Sequence, residues 1–454
     1  MKSLLMIWVL IMGITFQENS LRGQNIEQRI DELLQDVYPD GEPGCVALVT
    51  RQNQILYKKA FGSANLELNV PMRTEMVFEI GSLTKQFTSV STLILIEQGK
   101  TALSDPISNY LDFCPDAWKS ITIRHLLYHT SGIKNLTSME ILSKVSRQDF
   151  TPREVIALFE KEPLDFQPGE SWNYSNSGYV ILGYIIEKIT GQEYGNFITE
   201  NIFKPLKMNN SFYGNWSRII KNRVSGYQKK ESLINADYLS FTLPYSAGAL
   251  MMTVEDFYTW NQALHNYQIV KKETLDQAFI KGRLNNGSVT DYGYGWFISE
   301  LNGSKVYEHT GGIYGQTSYA AYLPAEQVLV VLFTNRDDRI PAPFAKEIAT
   351  IVIGNAEPTV EKDSKIDLTP ETIQKYVGEY EIRKDMVLCV SLKKDQLFIQ
   401  PSGQPKLRII PVSPTAFTVK MINARVEFIT NPAGQVESLL LYQGDKKIPA
   451  KKIK

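Results

Sequence analysis

The chain has 454 residues, a formal net charge of −1, 43% hydrophobic residues and 21% charged residues. That length suits two or three domains of roughly 150 residues each with a sizeable core, and the composition excludes disordered and collagen-like classes. A net charge so close to zero excludes the broad basic field of a nucleic-acid binder and a general pull toward anionic membranes.

Lys2 precedes an apolar run from Leu4 to Phe16, which is short for a membrane span and suited to a secretory leader. Residues 1–23 are therefore expected to be a cleaved signal peptide, and the protein exported, periplasmic or secreted. No cysteine closely follows the run, so a lipid anchor is not supported, and no later stretch predicts an integral membrane segment. Cys45, Cys114 and Cys389 are few and widely spaced, which predicts buried free thiols rather than a disulfide framework.

From Gly44, the segment CVALVTRQNQILYKKAFGSAN holds two apolar runs around a polar turn and predicts an antiparallel hairpin. After Gly81, residues Phe87, Val90, Leu93, Ile94 and Ile96 fall at helical spacing, with Gly99 where a C-terminal cap belongs. Ser82 thus opens an amphipathic helix. A second helix is predicted over Ser177–Thr190, closed by Gly191. Strands are predicted at Gly295–Ser299, Val306–His309, Ser318–Leu323 and Val328–Phe333.

Strands at both ends of a helical middle imply an α/β (α+β) sandwich with an antiparallel sheet, because the β-α-β alternation of a parallel sheet is missing. Residues 359–372 are polar and proline-containing, as a linker is. They separate a domain over 24–358 from a second over 373–454. The latter carries short β-like runs (MVLCVSL, QLFIQ, LRIIPV, AFTVK, RVEFIT, ESLLLY) at spacings of an up-and-down all-β meander.

A serine and a lysine three apart on a helix share a face, so the amine can take the hydroxyl proton. The pattern occurs three times, beginning at Ser82, Ser131 and Ser391. In the β-like run around Ser391, residues three apart point to opposite faces. At Ser131, the following Gly132 signals a turn. Only Ser82 begins a helix, where the positive end of the helix dipole also favours developing negative charge. Two further elements stand out: Tyr174-Ser175-Asn176 in a loop ahead of a helix, and His309-Thr310-Gly311-Gly312 at a strand, where glycines allow close approach of a ligand to the backbone.

Taken in this order, the three elements resemble the SxxK, YxN and K/H-T-G set of the serine β-lactamase and DD-peptidase superfamily. The segments FEIGSLTKQFT, ITIRHLLYHTSGI, FQPGESWNYSNSGYVILGYIIEKITG, YSAGALMMTVEDFYTW, YGYGW and HTGGIYG are similar to that family's recurrent stretches over roughly residues 40–340. The resemblance implies a β-lactamase/transpeptidase-like sandwich with a helical subdomain, and the last domain resembles the lipocalin-like appendages of some members. It implies Ser82 as nucleophile, Lys85 as proton acceptor, Tyr174 as proton carrier to the leaving group, and Asn176, His309 and Thr310 as substrate-binding residues. The backbone N–H groups of Ser82 and Gly312 would form the oxyanion hole, a device commonly worth roughly 3 to 4 kcal/mol per donor. His309, where many β-lactamases have lysine, is more similar to the DD-carboxypeptidase and D-amino-acid peptidase version, and would bind a substrate carboxylate with Thr310 when protonated. An unperturbed imidazole is mostly neutral at pH 7. Lowering a tyrosine pKa by about 3 units would take roughly 4 kcal/mol, so Lys85 is the better base when His309 is neutral.

The expected substrate is a small molecule or peptide: an acyl-D-amino acid, an ester or a β-lactam. A carboxylesterase or β-lactamase on the same scaffold, or a non-catalytic binder of penicillin or peptidoglycan fragments, are the alternatives. No cofactor or metal is expected. His125 and His129 lie four apart, as a metal pair does, but only His265 and His309 remain as further histidines and neither sits in a spaced motif. Tyr245, Tyr292, Tyr294, Trp296 and Tyr314 are candidates for pocket walls or for packing. The oligomeric state is left open.

Overall fold

The computed structural model describes residues 26–354 and 368–453, apart from short breaks at 384–385, 394–395, 402–405, 420–423, 432–433 and 444–445. The expected leader, residues 1–23, and most of the expected linker lie outside the described residues. The chain divides into two compact units at Ile353/Gly354. The last expected linker residues, from Pro370, already belong to a short helix capped by Thr369.

In the first unit a six-stranded antiparallel sheet is built from both ends of the sequence. Its strands are β1 (Cys45–Arg51), β2 (Gln54–Phe61), β3 (Phe297–Leu301), β4 (Ser304–Ile313), β5 (Gln316–Leu323) and β6 (Val328–Thr334), in the order β3-β4-β5-β6-β1-β2. The two halves join where β1 pairs with β6, Cys45 opposite Thr334 through to Arg51 opposite Val328. Both strands are almost wholly buried, as a central pair covered on two faces must be. The edge strand β3 pairs with β4 only as far as Phe297 opposite Glu308. Residues 309–313 of β4 therefore run on without a β3 neighbour, and that stretch is His309-Thr310-Gly311-Gly312-Ile313.

Helices of this unit include α1 (residues 26–37), α2 (Thr84–Glu97), α3 (Asn176–Thr190), α4 (Val254–His265) and α5 (Ala342–Ile353). The expected amphipathic character of α2 is corrected: every residue from Thr84 to Leu95 is buried. Its apolar side packs Phe87 on Trp260, rings stacked at 4.0 Å. Its other side is small and hydroxylated, which allows close packing, and two of its hydroxyls are tied to neighbouring elements: Thr88 Oγ1 donates to Ser246 O at 2.6 Å, and Ser89 Oγ meets Tyr179 Oη at 3.1 Å. α3 is capped by the Ser175 side chain, which accepts from Gly178 N, and ends at Gly191 with φ +67°.

The second unit is a closed barrel of eight antiparallel strands, β7 (Gly378–Arg383), β8 (Met386–Lys393), β9 (Gln396–Pro401), β10 (Leu407–Pro411), β11 (Ala416–Val419), β12 (Ala424–Thr430), β13 (Val436–Gln443) and β14 (Lys446–Lys452). The expected meander is present, with two strands at its ends that the runs had not marked. Closure pairs Tyr380 with Lys452, which removes the open edges of the sheet. Tyr376, Tyr380, Phe417 and Phe428 pack together inside, Tyr376 stacked on Phe428 at 4.4 Å.

The three thiols are free, yet only Cys45 is buried; Cys114 is half-buried and Cys389 exposed. Cys389 alternates with the buried Leu388 and Val390 on one barrel strand, so its side chain takes the outer face.

Candidate active site

Ser82 lies in a single 3-10 turn, Gly81–Leu83, directly ahead of α2. Gly81 has φ +51°, and a Cβ there would stand 2.7 Å from Gly312 N, so only glycine brings this turn so close to β4. Gly311 is under the same constraint from the strand side, since a Cβ would fall 2.0 Å from Ile80 O and 2.2 Å from Ser318 Oγ. Ser318 Oγ donates to Ile80 O at 2.7 Å and ties the turn to the sheet. The backbone of Ser82 is thus set beside that of Gly312, which itself faces open space.

Lys85, one turn into α2, is wholly buried. Its Nζ lies 3.1 Å from Ser82 Oγ, 2.7 Å from Asn176 Oδ1 and 2.8 Å from Ala247 O. Burial depresses its pKa well below the ordinary lysine range, and no carboxylate forms an ion pair with it among the described residues. Asn176 Oδ1 and the Ala247 carbonyl can only accept. A neutral amine gives its two N–H groups to them and turns its lone pair to the Ser82 hydroxyl. The Asn176 amide is oriented for this by Nδ2, which donates to Thr137 Oγ1 at 3.0 Å.

Tyr174 packs its ring 4.8 Å from Lys85 Nζ. Its hydroxyl is buried without a hydrogen-bond partner, and burial raises its pKa above the ordinary tyrosine value, opposed by the nearby Ser82 hydroxyl. His309 is 1% exposed. Its Nδ1 lies 2.6 Å from Thr310 O and its Nε2 2.9 Å from Tyr292 Oη. Because a carbonyl only accepts, the proton sits on Nδ1 and Nε2 accepts from Tyr292. Burial, and then the Lys85 charge, push its pKa down to about 3, so it is neutral at pH 7. Thr310 is exposed and lines one cavity wall together with His309.

Ser82, Lys85, Tyr174, Asn176 and His309 are therefore gathered in one place, with Gly312 alongside. The other two Ser-x-x-Lys matches differ. Ser131 Oγ accepts from its neighbour Ile133 N at 3.3 Å while Lys134 is paired with Asp165 at 2.7 Å. Ser391 sits in the barrel strand β8. Tyr245, Tyr292, Tyr294 and Trp296 are all buried, and of these Tyr292 bonds to a site residue. His125 Nδ1 accepts from Thr122 N at 3.1 Å within a helix cap.

Sequence reasoning missed the supports. Ala247 O has no side-chain signal at all. Residues 129–137, which begin with the HTSGIK element, cradle the tyrosine loop: Asn135 Oδ1 accepts from Asn176 N at 3.0 Å, Lys134 O from Ser177 Oγ at 2.7 Å, and Ile133 O from Ser175 Oγ at 3.3 Å.

Residues 26–353 match the family model described as Beta-lactamase, and residues 362–452 match a domain of unknown function, DUF3471. The chain is 28% identical over 444 residues to Penicillin-binding protein 4* of Bacillus subtilis (strain 168), covering 92% of this chain and 97% of that protein. Among solved structures, a D-stereospecific amidohydrolase from Streptomyces sp. aligns with TM-score 0.62 at 26% identity, covering 72% of this chain and 98% of that one. The octameric penicillin-binding protein homologue from Pyrococcus abyssi aligns with TM-score 0.65 at 24% identity over 94% and 99% of the two chains, and shares the fold. The match over residues 26–353, on an antiparallel scaffold that sets Ser82 beside a buried, acid-free Lys85, places the chain in the Beta-lactamase family as a serine hydrolase.

Proposed function

We propose that the protein hydrolyses D-aminoacyl bonds, in D-amino-acid amides or short peptides, through an acyl-enzyme on Ser82. The carrying observation is the buried Lys85 amine, held by two oxygens that only accept and 3.1 Å from Ser82 Oγ. In this reading Ser82 Oγ attacks the acyl carbon as its proton passes to neutral Lys85. The negative charge that forms on the acyl oxygen is received by the N–H groups of Ser82 and Gly312. Collapse breaks the bond to the leaving group, which takes a proton by way of Tyr174. Water then releases the acyl group by the reverse transfers, while Asn176 holds the substrate amide.

The charge around Thr310 bears on the substrate. His309 is neutral with both ring nitrogens engaged. A cavity of about 820 Å³ adjoins Thr310, and two cations on its wall are already paired, Lys281 with Asp291 at 2.6 Å and Lys346 with Glu308 at 2.9 Å. Lys305, a third, stands five residues up β4, about 17 Å from Thr310 at strand spacing. A leaving group without a carboxylate suits this setting, which favours amides and esters over carboxypeptidase substrates and β-lactams. The name of the Streptomyces relative, a D-stereospecific amidohydrolase, supports the amide reading.

Residues 1–23 serve in this proposal as an export leader, and the mature N-terminus found by sequencing the secreted protein tests it. The lipocalin-like barrel, with four rings packed inside, suits a docking or packing module better than a carrier of small molecules.

Intact-protein mass spectrometry after incubation with a fluorophosphonate, and separately with a penicillin, tests the chemistry. An adduct on wild type that is absent from Ser82→Ala is expected. No adduct from either reagent overturns the catalytic reading in favour of a binder.

A further inference from the structure

The proposed acylation uses Tyr174 and leaves His129 unassigned. His129 is 1% exposed and has φ +60°, a left-handed backbone that few residues other than glycine and asparagine adopt readily. That unusual conformation aims two acceptors in one direction. The backbone oxygen of His129 accepts from Asn173 N at 3.1 Å, and its ring Nδ1 accepts from Ser175 N at 3.1 Å. Asn173 and Ser175 are the two chain neighbours of Tyr174. The imidazole also lies against the Tyr174 ring, with centroids 4.4 Å apart, and against Tyr292 at 4.5 Å.

We propose that His129 is a positioning residue that clamps the backbone on both sides of Tyr174, so that the phenol is held over Lys85 and beside Ser82. The inference rests on the reading that Tyr174 carries a proton in the reaction. The clamp needs Nδ1 as an acceptor, hence a neutral ring with its proton on Nε2. Burial, with Lys85 and His309 nearby, keeps the ring in that form. The Nε2 atom is buried and makes no hydrogen bond of its own, so the ring's polar work is done by Nδ1.

Three variants separate the clamp from bulk packing. In His129→Asn the Oδ1 atom is as many bonds from the backbone as Nδ1 and accepts in its place, and asparagine tolerates the left-handed conformation. His129→Gly keeps the backbone conformation and removes the acceptor. Tyr174→Phe removes the hydroxyl that the clamp serves. The readouts are the pre-steady-state rate of Ser82 acylation by a D-amino-acid p-nitroanilide, whose leaving nitrogen must take a proton, and the thermal midpoint of each variant. We expect His129→Asn to acylate near the wild-type rate and His129→Gly to lose about 10²-fold, the scale of a misplaced catalytic group, with little further loss when it is combined with Tyr174→Phe.

Wild-type acylation in His129→Gly, or equal loss in Gly and Asn variants, overturns the clamp. Wild-type acylation in Tyr174→Phe overturns instead the underlying reading of Tyr174. If His129→Gly does not fold, amide exchange at Ser175 in the wild type decides: strong protection supports the bond to Nδ1, and exchange at the rate of an open amide overturns it.

Discussion

Lys85 Nζ and Asn176 Oδ1 lie 2.7 Å apart although 91 residues separate them in the chain. With Ala247 O on another side, Asn176 completes a seat in which a lysine without a carboxylate partner directs its lone pair at Ser82. Replacing Lys85 by methionine fills the same volume without the amine. Acylation in Lys85→Met is expected to fall by about 10³-fold, within the range for a lost general base, while the thermal midpoint changes little, because relief from burying the amine offsets the donors lost to Asn176 Oδ1 and Ala247 O. Stopped-flow acylation and a melting curve give both numbers; acylation within tenfold of wild type would remove Lys85 from the role of base.

The pH–rate profile depends on which groups are charged. Burial lowers the Lys85 pKa, so its neutral, accepting form appears as pH rises through a value below the ordinary lysine range. Acylation should therefore rise with pH along a limb set by one deprotonation. His309, with a pKa of about 3, is neutral throughout the working range. In His309→Gln the midpoint of the limb should stay where it is, even if the rate drops. A limb that vanishes in this variant would identify His309 as the titrating group.

Stability should fall on the acid side for a related reason. His265 and His309 have pKa values pushed down by burial to about 4 and about 3, against an ordinary value of 6.5. Between those limits the unfolded chain binds more protons than the folded one, so stability rises with pH there and is lost as pH falls from about 6.5 toward 3. Urea midpoints measured from pH 7.5 down to 4.5 should decrease, with a shallower slope in His265→Phe. An unchanged slope in that variant would show that His265 contributes nothing to the acid response.

Neighbouring glycines on β4 should respond in opposite ways. Gly311→Ala forces a Cβ to 2.0 Å from Ile80 O, so either the turn that carries Ser82 or the strand must move; a loss of about 1–3 kcal/mol and of most activity is expected. At Gly312 a Cβ meets nothing within 4 Å, so Gly312→Ala should keep the melting midpoint and the backbone N–H, and show its effect in KM. Equal destabilisation by the two changes, read by thermal unfolding, would contradict the tight approach of β4 to the turn that carries Ser82.

Removing the Tyr292 hydroxyl tests how His309 is held. Tyr292→Phe leaves Nε2 of His309 as a buried acceptor without its 2.9 Å donor, an omission that costs about 1–3 kcal/mol. Denaturant unfolding of Tyr292→Phe, His309→Leu and the double variant beside wild type reads the coupling, and additive losses would mean that the two side chains do not depend on each other.

The sequence by itself determined whatever depends on near neighbours along the chain. The short apolar runs and the turns between them specified β1, β2 and the barrel meander, Gly191 closed α3 on schedule, and the three-residue spacing of Ser82 and Lys85 brought them together within one turn of chain. Local order carries this information because side-chain direction repeats with the backbone period. Only the tertiary structure decided the features that depend on burial and on distant contacts. It showed α2 enclosed on every side, where hydroxyl residues that look solvent-facing in sequence bond to Ser246 O and Tyr179 instead. It separated Ser82–Lys85 from Ser131–Lys134, an identical spacing in which the lysine turns outward to Asp165. It also supplied Ala247 O to Lys85 and His129 to the Tyr174 loop. A carbonyl has no residue type to announce it, and a histidine acting through its neighbours' backbone has no spacing rule, so neither can be read before the chain is folded.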